Sequence, residues 1–368
     1  MCYNRRHLGG AIRGFSDDSG LVTIAFDQGE DIIVLDRKGL LTRRGFSVLA
    51  AAVAMAAGTL AGGAAIAGGP DKIHFLIPGG AGGGWDGTAR GTGEALTKSG
   101  LLKGASFENM SGGGGGKAIA HLIETAARQH GTLMVNSTPI ILRSLRGRFP
   151  QSFRDLTPIA GIIGDYGAFV VPQDSKFKSW GDVIAAYKAD PNSVKVAGGS
   201  VKGGMDHLVG ALAFQAAGAD PDKVAYVPYD AGGKAMAGLL SGETQLLSTG
   251  LGEALEQAKA GQVRILASTA PKRIADAPDV PTLKEQGYDI EFVNWRGFFG
   301  APGLPADLAD AYAELLGKMY ETPEWEAVRK RNGWVEIYKP RAEFVSFLEG
   351  QEQAMKALLN KLGVKTVR

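Results

Sequence analysis

Two glycine runs, each set between an apolar stretch and an amphipathic one, constrain this chain more than any other feature in it. The first reads Pro78-Gly79-Gly80-Ala81-Gly82-Gly83-Gly84-Trp85-Asp86, and the second Ser111-Gly112-Gly113-Gly114-Gly115-Gly116-Lys117. Glycine tolerates positive φ and lets other groups come close to the backbone. Where such a run opens a helix, the N–H groups of the first turn have no partner inside the helix, and together with the helix dipole they favour an anion. Glycine makes up 54 of 368 residues, about twice the usual share. It gathers at the ends of apolar runs, so these segments read as loops of a folded protein and not as low complexity.

Between the loops, short apolar runs alternate with amphipathic stretches, the pattern of an α/β fold. Strands are expected at 73–77, 132–136, 158–163, 168–171, 194–197, 224–227, 245–248, 263–268 and 292–300. Helices are expected at 87–99, 118–129, 180–188, 206–217, 233–241, 253–260, 305–319, 323–332 and 341–362. The last carries Phe344, Phe347, Leu348, Met355 and Leu358 on one stripe, which suits a helix packed on the first lobe. A chain of about 300 residues exceeds one core, so two lobes are expected. The apolar stretches 159–171 and 290–300 are the natural crossing strands. They place lobe 1 at 70–170 plus 292–368 and lobe 2 at 171–291.

Ahead of this lies an export signal. Thr42-Arg43-Arg44-Gly45-Phe46 precedes a run of mostly Ala, Val, Met and Gly that ends in Ala65-Ile66-Ala67. A basic segment, an apolar segment and a small-x-small site make a secretory signal, and the arginine pair resembles the twin-arginine motif. Residues 41–67 are therefore expected to be a signal peptide, cleaved near Ala67 to give a periplasmic product. A transmembrane helix is the competing reading, but Gly58, Gly62 and Gly63 dilute the run. Residues 1–40 form a doubtful extension with a strand-pair pattern (22–26 and 31–35), and a misplaced start accounts for them.

Two classes of function are disfavoured. The only cysteine, Cys2, allows neither a disulfide framework nor a cysteine metal site. A net charge of +2 gives no field that gathers nucleic acid, so any selectivity for anions must be local. A Walker loop fails because Ser111 and Ala118 stand where Gly and Ser or Thr are needed. A dinucleotide fingerprint can be forced onto Gly82, Gly84 and Gly87, but Trp85 and Asp86 would crowd a pyrophosphate. No Gly-x-Ser-x-Gly elbow surrounds Ser200, and the histidines His74, His121, His130 and His207 are scattered. No catalytic residue, cofactor or metal is expected.

The second half offers matching loops, Gly198 to His207 and Tyr229 to Gly233, each between a strand and a helix. Four such junctions, two from each lobe, suit a carboxylate gripped from both sides. His207 is read either as a capping or packing residue or as a ligand contact. Asp86 is read as a helix N-cap paired to Arg90 at i,i+4. Arg296 is the preferred ligand cation, because guanidinium takes carboxylate bidentately; a surface ion pair is its other reading. Lys117 and Lys202 read as solvated.

These residues together resemble the substrate-binding proteins of tripartite tricarboxylate transporters, the Bug-type receptors. The resemblance is carried by Pro78 to Arg90, Glu108 to Gly116, Gly198 to His207 and Tyr229 to Gly233. It continues through Arg273, the block Pro278-Asp279-Val280-Pro281-Thr282-Leu283-Lys284-Glu285-Gln286-Gly287, Trp295-Arg296-Gly297 and Ala301-Pro302-Gly303-Leu304-Pro305. It runs from about Lys72 to about Lys361. The glycine-rich insertion before Trp85 and the five consecutive glycines depart from the commonest version and resemble the tricarboxylate-binding branch.

The resemblance implies a two-lobed Venus-flytrap fold of the type II-like periplasmic binding proteins, with two crossover strands. It also implies a small di- or tricarboxylate ligand, citrate-like, held by backbone amides and waters and handed to the transporter's membrane components, with the receptor a monomer. The ligand-binding candidates are Gly80, Gly82, Gly83, Gly84, Trp85 and Asp86 in the first loop, and Ser111, Gly113, Gly114 and Gly115 in the second. Asn136, Ser137, Ser200, Gly204, His207, Tyr229, Gly232 and Arg296 complete the set. A periplasmic sensing module, or a nucleotide-cofactor enzyme, is the alternative.

Overall fold

The computed structural model describes residues 70–361 and 363–367, together with three strands that precede them. Those three, β1 (Arg13–Ser16), β2 (Leu21–Ala25) and β3 (Ile32–Asp36), pair in sequence order as an antiparallel sheet. The expected strand pair falls on β2 and β3. The expected signal peptide at 41–67 and its cleavage near Ala67 lie outside the described residues.

From residue 68 onward the chain is a separate compact unit of alternating strands and helices. It begins with β4 (Lys72–Ile77), α1 (Gly84–Lys98), β5 (Gly104–Asn109), α2 (Gly116–Glu124), β6 (Thr132–Ser137) and α3 (Pro139–Leu145). Then come β7 (Thr157–Pro172), α4 (Trp180–Ala189), β8 (Val196–Gly198), α5 (Met205–Ala216), β9 (Tyr226–Pro228) and α6 (Gly232–Leu240). Next are β10 (Leu246–Gly250), α7 (Leu251–Lys259), β11 (Val263–Ser268) and β12 (Val293–Gly300). The unit closes with α8 (Ala306–Tyr320), α9 (Pro323–Asn332), β13 (Val335–Pro340) and α10 (Arg341–Lys361). Ten strands form one mixed sheet in the order β5-β4-β6-β12-β7-β10-β8-β9, with β11 and β13 also paired to β7.

The long strand β7 makes this unit two-lobed. Its first part pairs with β12, from Thr157 opposite Gly300 to Tyr166 opposite Val293, and with β13. Its last part, Gly167 to Pro172, pairs with β10 and β11. The segments 158–163 and 168–171, expected as two strands, are thus one continuous strand. Both faces of this strand and its neighbours are covered, which is why their sequences read as unbroken apolar runs. In β4, Ile73, Phe75 and Ile77 join one core while Leu76 joins the other; in β6, Leu133 and Val135 divide from Met134 in the same way. On the expected stripe of the last helix, Phe344, Leu348 and Met355 are buried, and Phe347 and Leu358 are partly buried.

Three elements had no signal in the sequence pattern. Strand β5 is an edge strand built of Gly, Ala, Ser, Phe, Glu and Asn, largely open to solvent. Helix α3 is short and begins with proline at its first position. Strand β13 is only half-buried and ends in proline. In each case the pairing or packing partner lies far along the chain, so local periodicity is weak.

Candidate functional site

A cavity of about 180 Å³ lies where the loops from both lobes meet. The first loop reaches it through Gly80, Gly83, Gly84 and Trp85. Helix α1 starts at Gly84, three residues before the expected start, with Gly83 as its extended N-cap. Asp86 is therefore not the cap. It sits within the first turn and reaches back to accept the Gly82 N–H (3.0 Å), while also taking Arg90 Nε (2.8 Å) and Asn109 Nδ2 (3.0 Å). The expected i,i+4 pair with Arg90 is present. These three donors hold Asp86 in its own loop, and neither Asp86 nor Gly82 lines the cavity. The Trp85 indole donates to Ser137 Oγ (2.9 Å), which ties the first loop to the end of β6.

The second loop explains its glycines. Gly112, Gly113, Gly114 and Gly115 have φ values of 143°, 58°, 62° and 97°. Four consecutive residues on the positive side of φ are sterically closed to other L-residues. The turn brings Ser111, Gly113 and Gly114 to the cavity, while Gly115 caps α2 and stands outside the lining. A side chain at Gly114 would run into the guanidinium of Arg143.

Arg143, on α3, is the cation the sequence reading missed. It lines the cavity and has no carboxylate partner among the described residues, and its buried Nε has no hydrogen-bond partner. Burial, with the Arg146 and Arg148 charges beside it, lowers its pKa from the ordinary arginine value. A guanidinium nevertheless stays protonated, so this charge stands uncompensated. Asn136, expected in the lining, turns away. Its Oδ1 accepts the Ser137 N–H (2.9 Å), whereas Ser137 itself does line the cavity.

From the other lobe come Ser200, Gly204, Tyr229 and Gly232. Ser200 Oγ accepts the Asp206 N–H (3.0 Å), and the Tyr226 hydroxyl donates to the Ser200 carbonyl (2.7 Å). His207 is not in the lining. It packs edge-on against Tyr226, with ring centroids 4.7 Å apart, and burial holds its pKa below the usual value. Two bonds cross the mouth. Ser111 Oγ donates to Asp230, and Arg146 Nη1 donates to the Gly203 carbonyl (2.8 Å).

The wall formed by β7, α5, α7 and β12 is acidic. Arg296 is only 3% exposed, so it is neither a surface ion pair nor a free ligand cation. Its Nη2 lies 2.8 Å from Asp165 Oδ2 and 3.9 Å from Glu253 Oε1, and Nη1 reaches Thr88 Oγ1 at 3.3 Å. Asp206 joins them in the lining. Burial pushes Asp165 and Glu253 above the usual carboxylate range, with Arg296 pulling each back. Burial, reinforced by the Glu253 charge, pushes Asp206 up to about 7. Glu253 also accepts the Gly84 N–H and lies against Gly232, so close that a β-carbon there would overlap it. The amide at the start of α1, expected to face a ligand, is thus answered by the protein's own carboxylate. Asp165, Asp206 and Glu253 lie far apart in the chain, and only the crossing of β7 brings them together.

This is a two-lobed α/β fold of the periplasmic binding-protein type, with a cavity between the lobes. Solved structures of similar fold include the periplasmic binding protein BugD, with a TM-score of 0.72 and 21% identity over 80% of this chain and 98% of that one. Another is R. palustris Rpa4515 with adipate, with a TM-score of 0.73 and 20% identity over 80% of this chain and 99% of that one. A relative in Pseudomonas sp. (strain P51), the UPF0065 protein in the tcbD-tcbE intergenic region, is 26% identical over 265 residues, 71% of this chain and 77% of its own length. The family described as "Tripartite tricarboxylate transporter family receptor" matches residues 90–364. The chain belongs to that family, whose members are periplasmic receptors that bind small carboxylates and work with tripartite transporters. Among the described residues no helix is long and apolar enough to cross a membrane.

Proposed function

We propose that this protein is an exported receptor that captures a small organic carboxylate between its lobes and delivers it to the membrane components of a tripartite tricarboxylate transporter. One observation carries the reading: Arg143 presents an unpaired guanidinium to a glycine-walled cavity. This guanidinium is partly buried, and a partly desolvated charge without a partner gains from a bound carboxylate. Ser137 and the open backbone around Gly113 and Gly114 supply donors beside it. The ligand-binding set is therefore Gly80, Gly83, Gly84, Trp85, Ser111, Gly113, Gly114, Ser137, Arg143, Ser200, Gly204, Tyr229 and Gly232. Arg296 shapes the opposite wall. Family membership supports export to the periplasm, with residues 41–67 as the signal.

The citrate-like di- or tricarboxylate expected from the resemblance is one form of this reading. The neighbouring structure solved with adipate favours it, and the acidic wall opposes it. Calorimetric titration of the mature chain with a panel of organic acids tests the receptor role. A charge-assisted hydrogen bond is worth about 1.5–3 kcal/mol, so Arg143→Gln should weaken the best ligand by roughly tenfold or more. Unchanged affinity in that variant would reject Arg143 as the carboxylate anchor.

A further inference from the structure

The cavity is charged in opposite senses on its two walls. On one, Arg143 stands against Gly114 with no acidic neighbour; the charges that act on it are those of Arg146 and Arg148. On the other, three carboxylates, Asp165, Asp206 and Glu253, share one guanidinium. Asp165 takes the close ion pair with Arg296 and also accepts the Gly252 N–H (3.1 Å), so its needs are met inside the protein. Glu253 stands farther from Arg296 and is held by Thr249 Oγ1 (2.7 Å) and by the Gly84 N–H. Asp206 has no ion pair among the described residues. These carboxylates are not set for a metal ion either: among the described residues no group of three or more acidic, histidine or cysteine side chains converges to hold one.

We propose that the ligand is an amino-carboxylate, its carboxylate held by Arg143 and its cationic nitrogen received by Asp206 and Glu253, and that this wall discriminates against di- and tricarboxylates. The inference rests on the receptor reading above and narrows its ligand class. A second ligand carboxylate at the acidic wall would sit among Asp165, Asp206 and Glu253 with only Arg296 to offset them, and like-charge juxtaposition across an interface suppresses wrong partners. An ammonium there supplies a counter-charge for Asp206, which has no ion pair among the described residues, and for Glu253, which stands 3.9 Å from Arg296. The size of the cavity suits a short ligand. The occupied amide at Gly84 points the same way, since Glu253 already fills the anion position at the start of α1.

The test compares two probe series on the mature protein by calorimetry and thermal shift. One is the ω-amino acids from β-alanine to aminohexanoate; the other is the dicarboxylates of matching length, from succinate to pimelate. The best amino acid should bind tighter than its matched dicarboxylate by about tenfold or more. Asp206→Asn, with Glu253→Gln as a second variant, should shrink or invert that ratio while Arg143→Gln weakens both series. Dicarboxylates binding as tightly as the amino acids, or a ratio untouched by both acidic variants, would overturn the inference and leave the receptor reading standing. If neither series binds, the receptor reading itself fails; if Arg143→Gln changes nothing, Arg143 is not the carboxylate anchor and the inference falls with it.

Discussion

The two walls of the cleft hold their arginines in opposite ways. Arg296 is buried, paired with Asp165 and answered by Thr88. Arg143 is only partly buried, flanked by two more arginines and left without an acid. The first is a fixed part of the fold's interior, and the second carries a charge that the protein's described residues leave unanswered. Two guanidiniums lining one cavity are therefore different objects, and residue type does not distinguish them.

The largest effect should come from breaking the paired one. Removing one member of a buried ion pair typically costs about 3–5 kcal/mol, so Arg296→Met should lower urea stability by that order. Arg143→Met should change it by no more than about 0.5 kcal/mol, because no native partner is stranded. Equal losses in the two variants would erase the contrast.

A smaller effect should appear with pH on the acidic wall. Asp206 has a folded pKa of about 7 against an ordinary 3.8. The folded state therefore keeps its proton over a range where the unfolded state has lost it. The resulting stability is fully present below 3.8, falls as pH rises, and is gone once pH passes about 7. Asp206→Asn should flatten that part of the pH profile in thermal melts. A profile with the same slope in wild type and variant would assign the fall to other groups.

The smallest effect belongs to the outer surface of the first lobe, away from either wall. Glu94 bridges α1 to α9 through Arg331 Nη2 (2.8 Å) and also pairs with Lys98. The hydrogen bond from Arg331, helped by Lys98, holds its pKa down at about 2 against 4.5. Its contribution is present above 4.5 and is lost as pH falls toward 2. Solvent screens such pairs, so Glu94→Gln should cost only about 0.5 kcal/mol near neutral pH. A loss several times larger would make this bridge a structural anchor of α1.

Much of the backbone was readable in the chain. The loops opening α1, α2, α5 and α6 are where the glycine runs indicated, and the apolar stripe of α10 is buried. Asp86 shows where such reading stops. Its pairing with Arg90 at i,i+4 was legible because four residues is one helical turn. Its bonds to Gly82 and Asn109 depend on where the loop and β5 fall, and they turn a supposed cap into an internal brace. Likewise Gly82, Gly115, Asn136 and His207 belong to the right segments but face away from the cavity. A change of one or two residues in register decides which side of a loop looks inward.

Local demands can be met and recognised within a few residues: positive φ at Gly112 to Gly115, the period of a helix, the largely apolar run of β4. Charge compensation has no such locality. Whether Arg143 or Arg296 is free depends on carboxylates at 165, 206 and 253, which β7, α5 and α7 bring from distant parts of the chain. The glycines could announce that helix-opening loops line a cleft. Only the folded arrangement decided which of its charges were already spoken for, because electrostatic pairing acts through space and is indifferent to sequence separation.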